Sequence, residues 1–146
     1  MFVTLPGALL MLRVHQNTAD ASRYGTRWPR HEAERLLLLA RELPPADRLL
    51  LEQSLAYRTP LRILAAHTGR HTSTLARRIL RLLSRLRTPA FAFLAAHHDL
   101  LPPATRRTAQ LIIFEGRSQR QTARITGQSL HTIRRQIAVV YALSRT

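Results

Sequence analysis

Residues 43–86 of this chain read LPPADRLLLEQSLAYRTPLRILAAHTGRHTSTLARRILRLLSRL, and residues 101–144 read LPPATRRTAQLIIFEGRSQRQTARITGQSLHTIRRQIAVVYALS. The two stretches align without a gap at an offset of 58 residues, and 12 of the 44 aligned positions are identical. The identities include the opening LPPA, a Thr-Gly pair and an isoleucine, so they are not confined to the abundant arginines. We therefore interpret the chain as an internal repeat, with residues 43–86 as the first copy and residues 101–144 as the second copy.

Apolar residues recur at three- and four-residue spacing in each copy, and this pattern predicts three helices per copy. In the first copy, a helix covers about 46–57, Thr59 caps a second helix that begins with a proline, and Gly69 ends that helix in a left-handed turn. A third helix runs over about 72–86. The second copy repeats this plan: a helix over about 104–115, a short helix between Ser118 and Thr126, a turn at Gly127, and a last helix that Ser129 caps.

The predicted fold class is all-α, with two tandem helix-turn-helix units of three or four helices. These units cover residues 43–87 and 101–146, and a linking helix lies at 88–100. An N-terminal segment, 1–42, precedes them and contains a helix over about 28–42. The sequence assigns no element to residues 1–27.

A short helix, a glycine turn and a longer helix form the helix-turn-helix signature. The second helix of such a motif enters the major groove of DNA with its N-terminal residues at the base edges. Leu75 and Ile133 lie in the positions that anchor this helix to the core, whereas Ala65 and Ala123 lie where the two helices cross. The predicted DNA-binding residues are small and polar or cationic side chains around the start of each longer helix: Ser73, Thr74, Arg77, Arg78, Gln128, Ser129, His131, Thr132, Arg134 and Arg135.

The chemistry of these side chains suits DNA. Arginine can bind guanine O6 and N7 or a phosphate through two hydrogen bonds, and glutamine suits adenine. Serine and threonine at a helix N-terminus can donate to phosphates with support from the helix dipole.

The charge distribution favours a polyanionic partner. Residues 53–146 contain 16 arginines and two acidic residues, a net charge of +14, whereas residues 1–52 carry a net charge of +1. Because each neutralised phosphate releases condensed counterions, a segment of this charge is predicted to bind double-stranded DNA. The alternative is a basic surface that serves only solubility.

Two bacterial families resemble the two copies. The second copy resembles the DNA-binding output domain of LuxR-type regulators through its leading Leu-Pro helix, the EGRS segment at 115–118 and the apolar end of its last helix. The first copy is similar to region 4 of bacterial sigma factors, which reads the −35 promoter element. Both families use a four-helix architecture. The resemblance implies that Thr132, Arg134 and Arg135 contact DNA, and that Thr74, Arg77 and Arg78 do so in the first copy. In this chain Leu64 and Thr122 replace the usual acidic residue before the small alanine.

No enzymatic function, cofactor or metal is predicted. The chain has no cysteine, which excludes disulfides and thiolate chemistry, and it shows no Ser/His/Asp set, glycine-rich phosphate loop or carboxylate pair. His67 and His71 have the spacing of a helical metal pair, but Gly69 lies between them and no third ligand accompanies them.

The leading hypothesis is therefore a transcription regulator that binds specific sequences in double-stranded DNA. One alternative is a sigma-like promoter-recognition protein with RNA polymerase as an additional partner, and another is the DNA-binding module of a transposition or packaging machine. No membrane partner is predicted, because the apolar run at 5–12 is far shorter than the ~20 residues that span a bilayer. The expected location is the nucleoid in the cytoplasm. A monomer is favoured, because one chain already carries two DNA-reading units.

Overall fold

The computed structural model describes residues 29–146, together with the backbone of residues 8–9 and 26–27. Over these residues the fold is all-α, as predicted, apart from the short antiparallel strands β1 (Ala8–Leu9) and β2 (Thr26–Arg27). The α-helices are α1 (Arg30–Leu39), α2 (Pro45–Leu55), α3 (Leu61–Thr68), α4 (Thr72–Leu86), α5 (Pro89–His97), α6 (Pro103–Ala109), α7 (Gln119–Thr126) and α8 (Leu130–Ser144). Short 3-10 turns follow α1 and α5, at Ala40–Glu42 and His98–Leu100. Trp28, where the sequence placed the start of the first helix, and most of the apolar run at 5–12 lie outside the described residues.

The chain forms two compact units. Unit 1 comprises Met1–Arg41 and Pro45–Ser84, and unit 2 comprises Glu42–Pro44 and Arg85–Thr146. Most of the first copy therefore belongs to unit 1 and the whole second copy to unit 2. The linking helix α5 is part of unit 2. The functional division into two DNA-reading units stays a prediction.

The helix bounds repeat with the same offset of 58 residues as the sequence. Helix α7 corresponds residue for residue to α3, and α8 corresponds in the same way to α4. Gly69 and Gly127 each follow the shorter helix with φ near +70° (67° and 70°), so both ends adopt the left-handed conformation that glycine favours. The sequence had predicted both turns.

A second pair of equivalent positions shares an unusual backbone conformation. Gly116 has φ 70°, and its counterpart in the first copy is Arg58, with φ 55°. Among the described residues Arg58 is the one non-glycine residue with a positive φ. Both residues precede the shorter helix of their copy, so the chain reverses there in the same way whether or not a glycine is available.

Each unit has its own apolar core. In unit 1, Leu36 and Ile79 are fully buried along with Leu75, which is 1% exposed. In unit 2, α8 packs against α5, α6 and α7 and buries Ile133 completely. The centroids of the rings of Phe91 and Phe114 lie 4.9 Å apart in this core. The predicted anchoring positions, Leu75 and Ile133, are thus confirmed as core residues.

One local prediction is wrong. Thr59 does not cap α3: its hydroxyl donates to Oε1 of Gln53 at 2.8 Å, and Pro60 occupies the cap position without a side-chain hydrogen bond. The helix predicted over about 104–115 is confirmed, and its second part, after α6, is a π-helical turn at Gln110–Phe114. The Arg85 guanidinium donates to the carbonyl oxygens of Ile113 and Phe114, so it satisfies acceptors that the end of this helix leaves open.

Candidate nucleic-acid interface

Helix α4 has one buried apolar side and one exposed polar side. Six of its 15 residues are buried and apolar: Leu75, Ala76, Ile79, Leu82, Leu83 and Leu86. Its exposed side includes Thr74, Arg77 and Arg81, which follow one another at three- and four-residue spacing. These three residues therefore lie along one face of the helix, with Thr74 nearest to the turn that Gly69 forms.

Arg78 is the neighbour of Arg77 but has an internal partner. Its Nε lies 2.9 Å from Oδ1 of Asp47 on α2, and a terminal nitrogen donates to the same oxygen. Asp47 is only 8% exposed, so the ion pair compensates a carboxylate that burial would otherwise destabilise. The sequence predicted Arg78 as a DNA contact, whereas the structure gives it a role in holding α4 to α2.

The equivalent position in the second copy is Gln136, and it makes the same kind of link. The hydroxyl of the fully buried Thr108 donates to Oε1 of Gln136 at 2.6 Å, so α8 is tied to α6. The amide nitrogen of Gln136 donates to Oε1 of Gln128 at 2.8 Å. The predicted adenine-reading side chain of Gln128 is therefore half-buried and already bonded through its oxygen.

The N-termini of α7 and α8 are capped as the sequence predicted. The Ser118 hydroxyl accepts from the backbone N–H of Gln121, whose side-chain oxygen accepts from the backbone N–H of Ser118 in return. The Ser129 hydroxyl accepts from the backbone N–H of Thr132 at 3.1 Å and lies 2.9 Å from the Thr132 hydroxyl. Ser129 and Thr132 thus hold the start of α8 in place.

Three predicted site residues of unit 2 are exposed on α8: His131, Arg134 and Arg135. Nε of Arg134 lies 3.4 Å from Oε1 of Gln119, the first residue of α7. This contact occupies the Nε donor of Arg134 and leaves its two terminal nitrogens available. Arg135 is exposed, as is Arg77 at the equivalent position of unit 1. Ser73 and Thr74 complete the predicted set in unit 1, the first half-buried and the second exposed.

The sequence missed three residues that matter for this surface. Arg81 continues the exposed face of α4, and its position four residues after Arg77 is the signal that could have found it. Asp47 fixes Arg78, but a pairing across 31 residues leaves no local signal. Gln119 contacts Arg134 across the glycine turn, and its place beside the Ser118 cap was a partial signal.

Within the part of the chain that the structure describes, no group of three or more His, Asp or Glu side chains could hold a metal ion. His67 and His71 are both exposed, on either side of the turn at Gly69. The same residues include no helix that is long and apolar enough to cross a bilayer.

Searches with this chain match no protein-family model, no curated protein and no solved structure. The resemblances to sigma-factor region 4 and to LuxR-type output domains therefore stay predictions from the sequence.

Proposed function

We propose that this protein binds specific sequences in double-stranded DNA and regulates transcription. The observation that carries the proposal is the repeated placement of Arg77 and Arg135. In each copy an exposed arginine follows a left-handed glycine by eight residues, on the helix whose opposite side anchors the core. A merely soluble basic surface gives no reason for the same arginine, turn and anchor to recur together.

The proposed DNA contacts come from the exposed members of the predicted set. Unit 1 offers Thr74 and Arg77, and unit 2 offers His131, Arg134 and Arg135. Arg78 and Gln128 are left out, because their polar groups already bind within their own units. Ser129 and Thr132 support the start of α8 instead of reading bases through their hydroxyls.

Arg134 is the strongest candidate for base recognition. Its two terminal nitrogens can donate side by side to O6 and N7 of a guanine, while its Nε contacts Gln119. Gln119 is then a positioning residue, since it restricts the rotation of the guanidinium before DNA arrives. A regulator that works in this way acts at the nucleoid in the cytoplasm, and RNA polymerase is its natural further partner.

The salt dependence of DNA binding tests this proposal. Fluorescence anisotropy of a labelled duplex, titrated with the full chain at several salt concentrations, gives the slope of log K against log salt. We expect a slope of about −0.9 for each phosphate contacted, and hence a steep dependence for several contacts. Absence of binding at low salt, or a slope near zero, contradicts DNA binding by this surface.

A matched pair of variants adds a control for net charge. Arg77→Gln/Arg135→Gln removes two exposed arginines from the proposed interface and should weaken binding strongly. Arg35→Gln/Arg41→Gln removes the same charge from exposed positions in and just after α1, which the proposal leaves off the interface. Equal losses in the two variants would show that only the overall charge matters.

A further inference from the structure

A groove lies along α4 in unit 1. It has a volume of about 480 Å³, and the described residues that line it are Thr74, Arg77, Leu80 and Arg81. Thr74, Arg77 and Arg81 are exposed along this side of α4, next to the half-buried Leu80. Arg77 and Arg81 are one helical turn apart, so their Cβ atoms are separated by about 5–6 Å.

The arginines of α4 differ in whether they already have a partner. Arg78 binds Asp47, and Arg85 binds the carbonyl oxygens at the end of the π-helical turn. Arg77 and Arg81 have no hydrogen bond or ion pair to any described residue. Two like charges at this spacing repel each other, and a bound anion would remove that repulsion.

The second copy lacks an equivalent groove lining. Arg135 corresponds to Arg77, but Val139 replaces Arg81 and Ala138 replaces Leu80. Thr132 corresponds to Thr74, but its hydroxyl is engaged with Ser129, whereas the Thr74 hydroxyl has no partner among the described residues. The two copies can thus be compared: at the positions of Arg77 and Arg81 the first copy has two arginines, and the second copy has one arginine and one valine.

We propose that Thr74, Arg77 and Arg81 form a phosphate-binding groove that accepts two neighbouring phosphate groups. Guanidinium groups bind phosphate oxygens through pairs of hydrogen bonds, and the threonine hydroxyl supplies a further donor. The phosphates come either from consecutive nucleotides of a DNA backbone or from a free oligophosphate. The inference rests on the proposed function where DNA is the source and is independent of it where a free oligophosphate is the source. In the first case unit 1 contributes affinity without reading bases.

The test compares three forms of the full chain: the wild type, Arg77→Gln/Arg81→Gln, and the charge-matched control Arg35→Gln/Arg41→Gln. One arm measures the salt slope of duplex DNA binding. The groove variant should lose about 1.8 from the magnitude of the slope, about 0.9 for each phosphate contact, while the control keeps the wild-type slope. Arg81→Val, which installs the residue of the second copy, should lose about 0.9.

The other arm titrates inorganic tripolyphosphate into each protein by calorimetry, without DNA. Saturable one-to-one binding that the groove variant loses and the control retains identifies a free oligophosphate as the source. A reduced salt slope without tripolyphosphate binding identifies the DNA backbone.

The outcomes separate this inference from the proposed function. If the wild type binds tripolyphosphate through Arg77 and Arg81 but does not bind DNA, the proposed function is refuted and phosphate binding by the groove is supported. If the wild type binds DNA, but the groove variant matches the control in both arms, phosphate binding by the groove is refuted and the proposed function is retained. Circular dichroism melting of each variant checks that these exposed substitutions leave the fold intact.

Discussion

Arg77 and Arg78 are adjacent in the sequence, but they lie on different sides of α4. Arg78 binds the buried Asp47, whereas Arg77 is exposed and lines the groove. We expect Arg78→Ala to lower the free energy of unfolding by about 1–3 kcal/mol, because it leaves a buried carboxylate without its partner. Arg77→Ala should change stability by no more than about 0.5 kcal/mol and should weaken DNA binding instead.

Urea denaturation of both variants, followed by DNA titration under conditions where each is folded, measures the two effects separately. The structural role of Arg78 is refuted if Arg78→Ala is as stable as the wild type and yet loses DNA affinity. A double-mutant cycle with Asp47→Ala adds a further check, since the coupling energy should vanish unless the two side chains interact.

Gly116 and Gly127 both have φ 70° but differ in their surroundings. A Cβ atom at Gly116 would lie 2.9 Å from a terminal nitrogen of Arg85, whereas a Cβ atom at Gly127 meets nothing within 4 Å. Gly127→Ala should therefore lower the free energy of unfolding by about 1 kcal/mol, which is the penalty for a side chain in the left-handed conformation. Gly116→Ala should lower the free energy of unfolding by about 1 kcal/mol more than Gly127→Ala, because the Arg85 guanidinium must also leave the carbonyl oxygens of the π-helical turn. Equal losses in thermal or urea denaturation would mean that Arg85 moves aside freely.

At the scale of helices, the sequence was most informative where a local rule fixes the backbone. Ser118, Ser129, Gly69 and Gly127 each act on the few residues beside them, and all four were predicted in the right role. The apolar period placed Leu75 and Ile133 in the core for the same reason. Such local features can be predicted from the sequence, because they depend only on residues that are close together in the chain.

The features that the sequence did not reveal depend on residues far apart in the chain. The π-helical turn lies where Arg85, some 28 residues earlier, binds its last carbonyl oxygens. Asp47 binds Arg78, and Gln136 donates to Gln128, so two side chains of the predicted site have partners within their own units. The sequence therefore placed these polar side chains on the right helices, but it did not show which of them have internal partners.

The contact between α7 and α8 carries a prediction about specificity. Arg134→Ala should reduce discrimination between the preferred and random duplexes by about 1–3 kcal/mol, because a bidentate guanine contact disappears. Gln119→Ala should reduce it in the same direction by a smaller amount, since the guanidinium stays but loses its orientation. Competition titrations with specific and nonspecific duplexes measure the ratio. A ratio that neither substitution changes removes Arg134 from base recognition.

At the scale of the whole molecule, the repeat places two potential DNA-reading helices, α4 and α8, in each chain. We therefore expect one chain to bind one continuous site, in which unit 2 reads the bases and unit 1 adds backbone contacts. The mass of the complex in solution, measured by light scattering on a minimal duplex found by footprinting, gives the stoichiometry. Two chains on a strictly palindromic site would contradict the monomer and would point to a dimer contact outside the two copies.

Selection of bound sequences from a pool of random duplex DNA tests the central claim most directly. If both copies bind DNA and at least the second reads bases, repeated selection with the full chain should enrich a defined motif, and Arg134→Ala should relax that motif over one contiguous part. A pool that stays random after selection, at salt concentrations where the protein binds DNA, would contradict sequence-specific recognition.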